Sequence, residues 1–512
     1  MNRITIGLDF GTHQTKVCVE NKADVNNPIY SFFQFLNEKG DKSVILPSIV
    51  QINKDDTLSY GFVDHEKCKY GKKFFIGNMP SYPNLQNMLN SELPLEPSIP
   101  SILNEKEDDI SISERSNWKK RYNVANRSYN SQMQLWRSRC EAIHTKYQSQ
   151  EKQIKKAYNQ QVKDWYKWQN AEKRDYKMIY RYFKQSTFSD YNWNCNLPSN
   201  LLSVWYLSYI IFKIEEKYGN TFAIQMGIPT GSDNFLMKKK RAVSLLLTAY
   251  YLVEEVFQNN INKFLETTVE ELTKLTVFVP YSEEKKIEYS LLIFPEAYAG
   301  LKSLTNRKKI ETGMSVMVDI GGGTTDITFF TVEDEKPIIY NYTSIPLGLN
   351  YIGETANPFL KDKFESTIDL NLIPKDDLIP AIEQYYRNLK ISCDGLVQQL
   401  RKKFERINIP DYRLKEALEN RAVIYSGGGS TYPILRKPIN NFSDIHHISP
   451  KVWEGMSIEK VKELAELCPI ISTSLGLSIS EVDDNVRISS IEEIFQHLEN
   501  ITQEEEIRPR WI

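Results

Sequence analysis

The sequence predicts an α/β protein of two related lobes that face each other, with a long helical insertion in the first lobe. Three observations carry that prediction. An apolar run ending in Asp, a Gly/Thr turn and a second apolar run occur twice, at Asp9-Phe10-Gly11-Thr12 and at Asp319-Ile320-Gly321-Gly322-Gly323-Thr324-Thr325-Asp326, which marks an internal repeat. A third glycine-rich turn, Ser426-Gly427-Gly428-Gly429-Ser430-Thr431, follows the apolar run at 422–425. Residues 115–184 lack Gly and Pro and repeat large apolar side chains at helical spacing.

Residues 4–9 and 16–20 read as two strands joined by a tight turn, because β-branched and apolar residues flank a loop in which Gly11 tolerates positive φ. Leu46-Pro47-Ser48-Ile49-Val50 and Leu58-Ser59-Tyr60-Gly61 read as further short strands, and Pro94, Pro97 and Pro100 then break the chain. In the stretch that follows, the spacing from Trp118, Tyr122 and Tyr129 through Met133, Trp136 and Ile143 to Tyr147, Ile154, Tyr158 and Trp165 alternates between three and four, as in a coiled-coil seam. One continuous helix would reach ~100 Å and a hairpin folded near residues 149–152 about half that, at ~1.5 Å per residue. The hairpin is the expectation, since an aromatic stripe on a lone helix stays wet.

After Pro198 the pattern gives a helix at 201–218, a strand at 221–228, a loop at Pro229-Thr230-Gly231 and a long helix at 238–257. A strand at 291–294 leads into Pro295-Glu296-Ala297, the start of a helix. Strands at 315–319 and 326–331 then repeat the amino-terminal pattern, and a short helix at 491–501 precedes a frayed acidic tail. The expected division is 1–104 for the first part of lobe one, 105–190 for the insertion, and 191–312 for the rest of lobe one. A second lobe with a reduced outer subdomain takes 313–467, a return helix to lobe one takes 468–485, and the tail takes 486–512.

The 512 residues carry a net charge of −2, but residues 115–184 hold 18 Lys and Arg against five Asp and Glu. That stretch is therefore +13 and the remainder −15, a basic insert in an acidic body. Six scattered cysteines without a CxxC pair signal neither a zinc site nor a disulfide framework, which suits a reducing compartment. Three residues before the first strand leave no room for a signal peptide, and the longest apolar stretches fall short of the roughly 18–20 residues that span a bilayer. A cytoplasmic protein without membrane contact is the expectation.

The three turns point to an ATP site closed from two sides. Glycines let backbone N–H groups approach phosphate oxygens, and Thr hydroxyls add uncharged donors. Gly11, Thr12, Thr15, Gly321, Gly322, Gly323, Thr324 and Thr325 are the candidate phosphate-binding residues, with Lys16 adding positive charge at the β/γ-phosphates. Asp9 and Asp319, each ending a strand, are placed to hold Mg2+ through its water shell. Glu296, opening a helix after an apolar strand, is the candidate that aligns the attacking water. No GxxxxGK[ST] loop occurs, so a P-loop enzyme is excluded.

At these residues the chain resembles the actin and heat-shock-chaperone (DnaK-type) ATPase superfamily, over nearly all of residues 1–104 and 190–485. The resemblance implies two duplicated ribonuclease-H-like lobes, ATP/ADP and Mg2+ as ligands, and low-turnover hydrolysis. It is closer to the chaperones at 46–50, at 58–61 and at Phe294-Pro295-Glu296-Ala297. It implies catalytic roles for Asp9, Glu296, Asp319 and Thr324, and an adenosine pocket from Gly348, Gly427, Gly428, Gly429, Ser430 and Tyr432. Tyr432 stands where the chaperones place an adenine-stacking Arg, and the short second lobe leaves Arg401, Lys402 and Arg406 as substitutes for the rest of the clamp. Lys16 resembles the lysine of actin and the plasmid-segregation actins, while Lys72 and Lys73 are the candidates for the chaperone lysine over the γ-phosphate. No β-rich substrate-binding domain fits in the acidic tail, so a conventional peptide-clamping chaperone is not the expectation.

The insertion at 115–184 reads as a solvated helical hairpin or as an arm for a protein partner, with nucleic acid ranked below both. Lys238-Lys239-Lys240-Arg241 reads as the solvated first turns of a helix. Three functions stay open: a nucleotide-controlled switch acting on a protein partner, a self-assembling filament of the plasmid-segregation type, and a small-molecule kinase.

Overall fold

The computed structural model describes residues 4–37, 40–72, 96–97, 99–170, 175–188, 197–229, 235–305, 315–333, 336–356, 368–406, 422–439, 442–484 and 486. The loop residues Thr230 and Gly231, Pro94, Lys73, the helix expected at 491–501 and the acidic tail lie outside them.

Apolar, β-branched runs form the first strands, β1 (Ile4–Phe10), β2 (Gln14–Asn21) and β3 (Ile29–Phe32), followed by the short β4 (Ile45–Pro47), β5 (Val50–Ile52), β6 (Leu58–Tyr60) and β7 (Tyr70–Lys72). The insertion carries α1 (Arg115–Asn170). The chain then forms β8 (Asp175–Lys177), β9 (Ile179–Tyr180), α2 (Phe183–Phe188), α3 (Ser199–Tyr218), β10 (Ala223–Ile228), α4 (Phe235–Tyr250), β11 (Leu291–Pro295) and α5 (Glu296–Thr305). The repeat begins with β12 (Ser315–Ile320), β13 (Thr325–Glu333) and β14 (Lys336–Ile345), and continues through α6 (Leu349–Ala356), α7 (Lys375–Arg406), β15 (Ala422–Ser426) and β16 (Asp444–His447). The strand β17 (Ser457–Ile458) and α8 (Cys468–Ser478) follow.

The two halves of the repeat share one connectivity. In the first sheet β1, β2 and β3 form an antiparallel meander, β10 joins β1 in parallel and β11 joins β10 in parallel, with β17 and β4 added at β3 and β2. In the second sheet β12, β13 and β14 form the same meander, and β15 and β16 add in parallel on the far side of β12. The strand that ends in Asp is thus central in each sheet. Its buried faces explain why it reads as a continuous apolar run rather than an alternating one.

Each sheet has its own core, around Trp205, Tyr206 and Ile224 in the first and around Phe329, Tyr385 and Tyr425 in the second. A third cluster, with Leu301, Met317, Phe330, Ile424, Ile471 and Leu475, joins residues of both. It is built on α8, which packs against β1, β2 and α5. Burial on this scale, at roughly 25 cal/mol per Å² of apolar surface, is what holds the sheets together.

Residues 73–174 form a compact unit of their own. The strands β7 and β8 that flank it in sequence pair antiparallel, with Lys72 opposite Asp175. Within that unit the expected hairpin does not form. The helix α1 runs 56 residues without interruption, ~84 Å at ~1.5 Å per residue, since residues 149–152 contain no Gly or Pro to stop it. Its amino-terminal end is held by the preceding segment: Trp118 donates to Glu105 at 2.9 Å, Arg115 to the Ile110 carbonyl at 3.1 Å, and Lys119 pairs with Glu107 at 2.6 Å. Trp118, Tyr122, Tyr129, Met133, Trp136 and Ile143 are half-buried along one stripe, while most of their helical neighbours are exposed. Tyr147, Ile154, Tyr158 and Trp165 of the expected seam have side chains outside the described residues.

Among the described residues no helix is long and apolar enough to cross a membrane. The described cysteines Cys18, Cys68, Cys140, Cys393 and Cys468 are all free.

Candidate functional site

The hairpin register of β1 and β2 sets Asp9 opposite Lys16, and Lys16 Nζ donates to Asp9 Oδ2 at 2.8 Å in a largely buried pair. The turn between them is braced from the next segment: Ser48 Oγ donates to the Gly11 carbonyl at 2.7 Å, and Ser48 N to the His13 carbonyl at 2.8 Å. Alternation along β2 sends Gln14 and Lys16 to the cleft and Thr15 the other way. Thr15 is fully buried with its hydroxyl 3.0 Å from Ser48 Oγ, and it is not among the residues that line the cleft.

The second hairpin repeats this with like charges, Asp319 opposite Asp326. Thr324 lines the cleft, whereas Thr325 points into the core, donating to the Leu347 carbonyl at 2.5 Å and meeting Tyr385 Oη at 2.9 Å. The first N–H groups of α6 are used on the loop itself, Leu349 N to the Gly321 carbonyl at 3.0 Å and Asn350 N to the Gly322 carbonyl at 2.9 Å. Gly348 packs directly against those carbonyls, where a Cβ would stand 2.6 Å from each oxygen.

Of the third motif, Gly427 and Gly428 line the cleft. Gly427 has φ +78°, donates its N–H to the Pro469 carbonyl at 3.0 Å, and lies so close to Asp319 that a Cβ would stand 2.2 Å from Oδ1. Gly429 packs on Ile320, and Ser430 Oγ donates to the Gly427 carbonyl at 2.8 Å. Tyr432 Oη donates to Asp369 at 3.2 Å and accepts from Leu370 N, which commits it to the second core. Arg401 and Lys402 sit on α7 and are not among the residues that line the cleft, and the side chain of Arg406 lies outside the described residues.

What converges is the phosphate end. Asp9, Gly11, Thr12, Lys16, Glu296, Asp319, Gly321, Gly322, Gly323 and Thr324 share one narrow cleft of about 110 Å³. Pro469, Ile470 and Thr473 at the start of α8 close its wall. His13, Lys184 and Asp326, to which no role was assigned from the sequence, also line it. Lys184, only 2 % exposed, pairs with Glu296 Oε1 and lies 5.8 Å from the Phe10 ring centroid. It had been counted with the basic insertion. Its setting, Tyr180 to Phe188 with four aromatic residues, is too apolar for a solvated basic face, and that was the available signal. Lys72, the alternative, ends β7, and Lys73 lies outside the described residues.

Burial dominates the electrostatics. It pushes Asp319 up to about 7, helped by the charges of Asp326, Glu296 and Asp9, and pushes Asp326 up to about 6 against a hydrogen bond from Ser344. Glu296 is also raised by burial, with Lys184 as the main opposing charge. Asp326 Oδ1 is buried with no hydrogen-bond partner among the described residues. Four carboxylates against two lysines leave the cleft short of positive charge, which suits a divalent cation. Among the described residues no group of three or more His, Cys, Asp and Glu is arranged to ligate one directly.

The cluster at 238–241 is engaged rather than free: Lys239 pairs with Asp484 at 2.8 Å, Lys240 lies 5.4 Å from the Tyr281 ring, and Arg241 donates to the Thr187 carbonyl at 2.6 Å.

No protein-family model matches the chain, and no curated protein matches it. Among solved structures, a 15-stranded ParM filament from Clostridium botulinum is similar over 93% of this chain and 98% of its own, at 14% identity and TM-score 0.37. A non-polymerisable quadruple mutant of pCBH ParM is similar over the same shares, at 13% identity and TM-score 0.34.

Proposed function

We propose that this chain is a two-lobed ATPase of the actin and heat-shock-chaperone type, with duplicated ribonuclease-H-like lobes, that works as a nucleotide-controlled switch for a protein partner. One observation carries the reading: two sheets of identical connectivity deliver the same strand–Asp–glycine-turn unit to opposite walls of one cleft. In this reading the loop amides at Gly11, Thr12 and Gly321 to Thr324 receive the phosphates, and Lys16 neutralises their charge from Asp9's side. Asp9 and Asp319 would hold Mg2+ through water; when bound, it supplies charge neutralisation between the outer phosphates. Glu296 orients the attacking water and accepts its proton. Lys184, released from Glu296 toward the γ-phosphate oxygens, is the counter-charge as that bond breaks.

The insertion supports the partner half of the proposal. The helix α1 presents an aromatic stripe flanked by an excess of basic side chains, which fits an acidic protein with an apolar ridge. The chain leaves for this unit at β7 and re-enters at β8, nine residues before Lys184, so the same return segment serves both insertion and cleft.

The test is ATP hydrolysis together with sedimentation of the purified protein in ATP and Mg2+. Hydrolysis that Asp319→Asn abolishes, by a protein that stays monomeric, is the expected result. ATP-dependent polymerisation would replace the switch with the filament reading, and phosphate transfer to a sugar or other hydroxyl compound would replace it with a kinase.

A further inference from the structure

His13 belongs to no motif invoked above, yet it stands where the two phosphate loops meet. Its ring is buried, 8% exposed, and packs on Tyr182 with centroids 4.7 Å apart. Asn350, in the first turn of α6 and 337 residues away, places its side-chain amide Nδ2 2.7 Å from His13 Nε2. An amide NH2 can only donate, so Nε2 accepts. Burial, with Lys16 and Arg181 adding to it, pushes the imidazole down to about 4, so the ring is neutral and carries one proton. That proton is therefore on Nδ1.

Nδ1 is buried and has no hydrogen-bond partner among the described residues. It faces Gly322: a Cβ there would come within 2.2 Å of Nδ1, so only glycine lets the ring lie against the loop. The carbonyl of Gly322 is already taken by Asn350 N at 2.9 Å. An N–H donor left without an acceptor in a buried site destabilises the fold that holds it there. The ring is also part of the cleft wall.

We propose that His13 is a phosphate-binding residue that couples the ligand to closure of the two loops: Nδ1–H donates to a phosphate oxygen of a nucleoside di- or triphosphate, while Nε2 holds Asn350 of the second half. The proposal rests on the ATPase reading above and adds to it one chain-specific link. Phosphate binding fixes the His13 ring, the ring fixes Asn350, and Asn350 fixes α6 and the Gly322 loop through its own N–H. A ligand oxygen in the cleft thereby stiffens the connection between the two hairpins, an effect that a merely structural histidine would not show.

The experiment uses the full chain. Calorimetric titration with ATP and ADP in Mg2+ compares wild type with His13→Gln, whose amide can still reach Asn350 but lacks a donor at the Nδ1 position, and with Asn350→Ala. His13→Gln is expected to weaken binding roughly tenfold to a hundredfold, as for a lost hydrogen bond to a charged group. Asn350→Ala is expected to weaken it less and to leave the Nδ1–H contact in place. In parallel, 15N-histidine NMR of the wild type reads the ring directly: one neutral Nδ1–H tautomer before ligand, and a downfield Nδ1–H proton on adding ADP. Wild type that binds ATP with His13→Gln binding equally well overturns this proposal and leaves the ATPase reading intact. An Nδ1 resonance unmoved by saturating ADP overturns it even if the variant fails to fold. Wild type that binds neither nucleotide removes both.

Discussion

Replacing Lys184 with Met tests the electrostatic account of the cleft at its most sensitive point. The lysine is almost fully buried and is the main charge opposing the upward shift of Glu296, which also shares the cleft with Asp9, Asp319 and Asp326. Removing it leaves an ionised carboxylate buried without its partner, a change that costs about 3–5 kcal/mol in comparable buried pairs. Glu296 can escape that cost by taking a proton. Its folded-state pKa, already raised, rises further in Lys184→Met, so the folded variant binds a proton that the unfolded chain does not. Stability is then retained at low pH and lost as pH rises through the raised value. Urea unfolding should show a loss of about 3–5 kcal/mol at pH 8 and clearly less at pH 5.5. Adding Glu296→Gln to Lys184→Met should restore most of the loss at pH 8. Equal destabilisation at both pH values, or a double variant no better than the single one, would refute the reasoning and reduce Lys184 to a packing residue.

Asp319→Asn should make the ligand-free protein more stable at pH 8. With its folded pKa near 7 against 3.8 unfolded, Asp319 favours the fold when protonated, and that stability, on the order of a few kcal/mol, is lost between pH 4 and 7. Unfolding in EDTA should show a flatter pH dependence for the variant than for wild type, and Mg2+ should stabilise only the wild type. Gly427→Ala places a Cβ against Asp319 at a residue with φ +78°, and should lower stability by roughly 1–3 kcal/mol while abolishing nucleotide binding in a thermal-shift assay. Joining Lys72 to Asp175 through an Asn-Gly turn, about the shortest loop that fits an antiparallel pair, should leave nucleotide affinity unchanged in calorimetry and remove capture of the partner; loss of nucleotide binding would show that residues 73–174 serve the cleft.

Much of this molecule is set by local rules that the sequence alone states. Gly/Thr turns after apolar runs place the hairpins, because the chain has few other ways to reverse direction between strands. Their recurrence at Asp9 and Asp319 exposes the duplication, and Glu296 after an apolar strand marks the helix that opens on the cleft. The same local rules leave other matters undecided. A seam with steps of three and four is compatible with one helix or with a hairpin, since the period is identical, and only the uninterrupted backbone of α1 distinguishes them. Whether Thr15 or Lys16, Thr324 or Thr325, faces the ligand depends on strand register, where a shift of one residue exchanges the two faces. Gly348, Tyr432 and the α7 cations were assigned by similarity, but the packing of α6 and of the second core decides what they touch. Lys184 and Glu296 are 112 residues apart, and His13 and Asn350 are 337 apart. Local propensity carries no information over such separations. The pairing of charges, the orphaned His13 nitrogen and the raised carboxylates exist only once burial has brought distant segments together and removed the water between them.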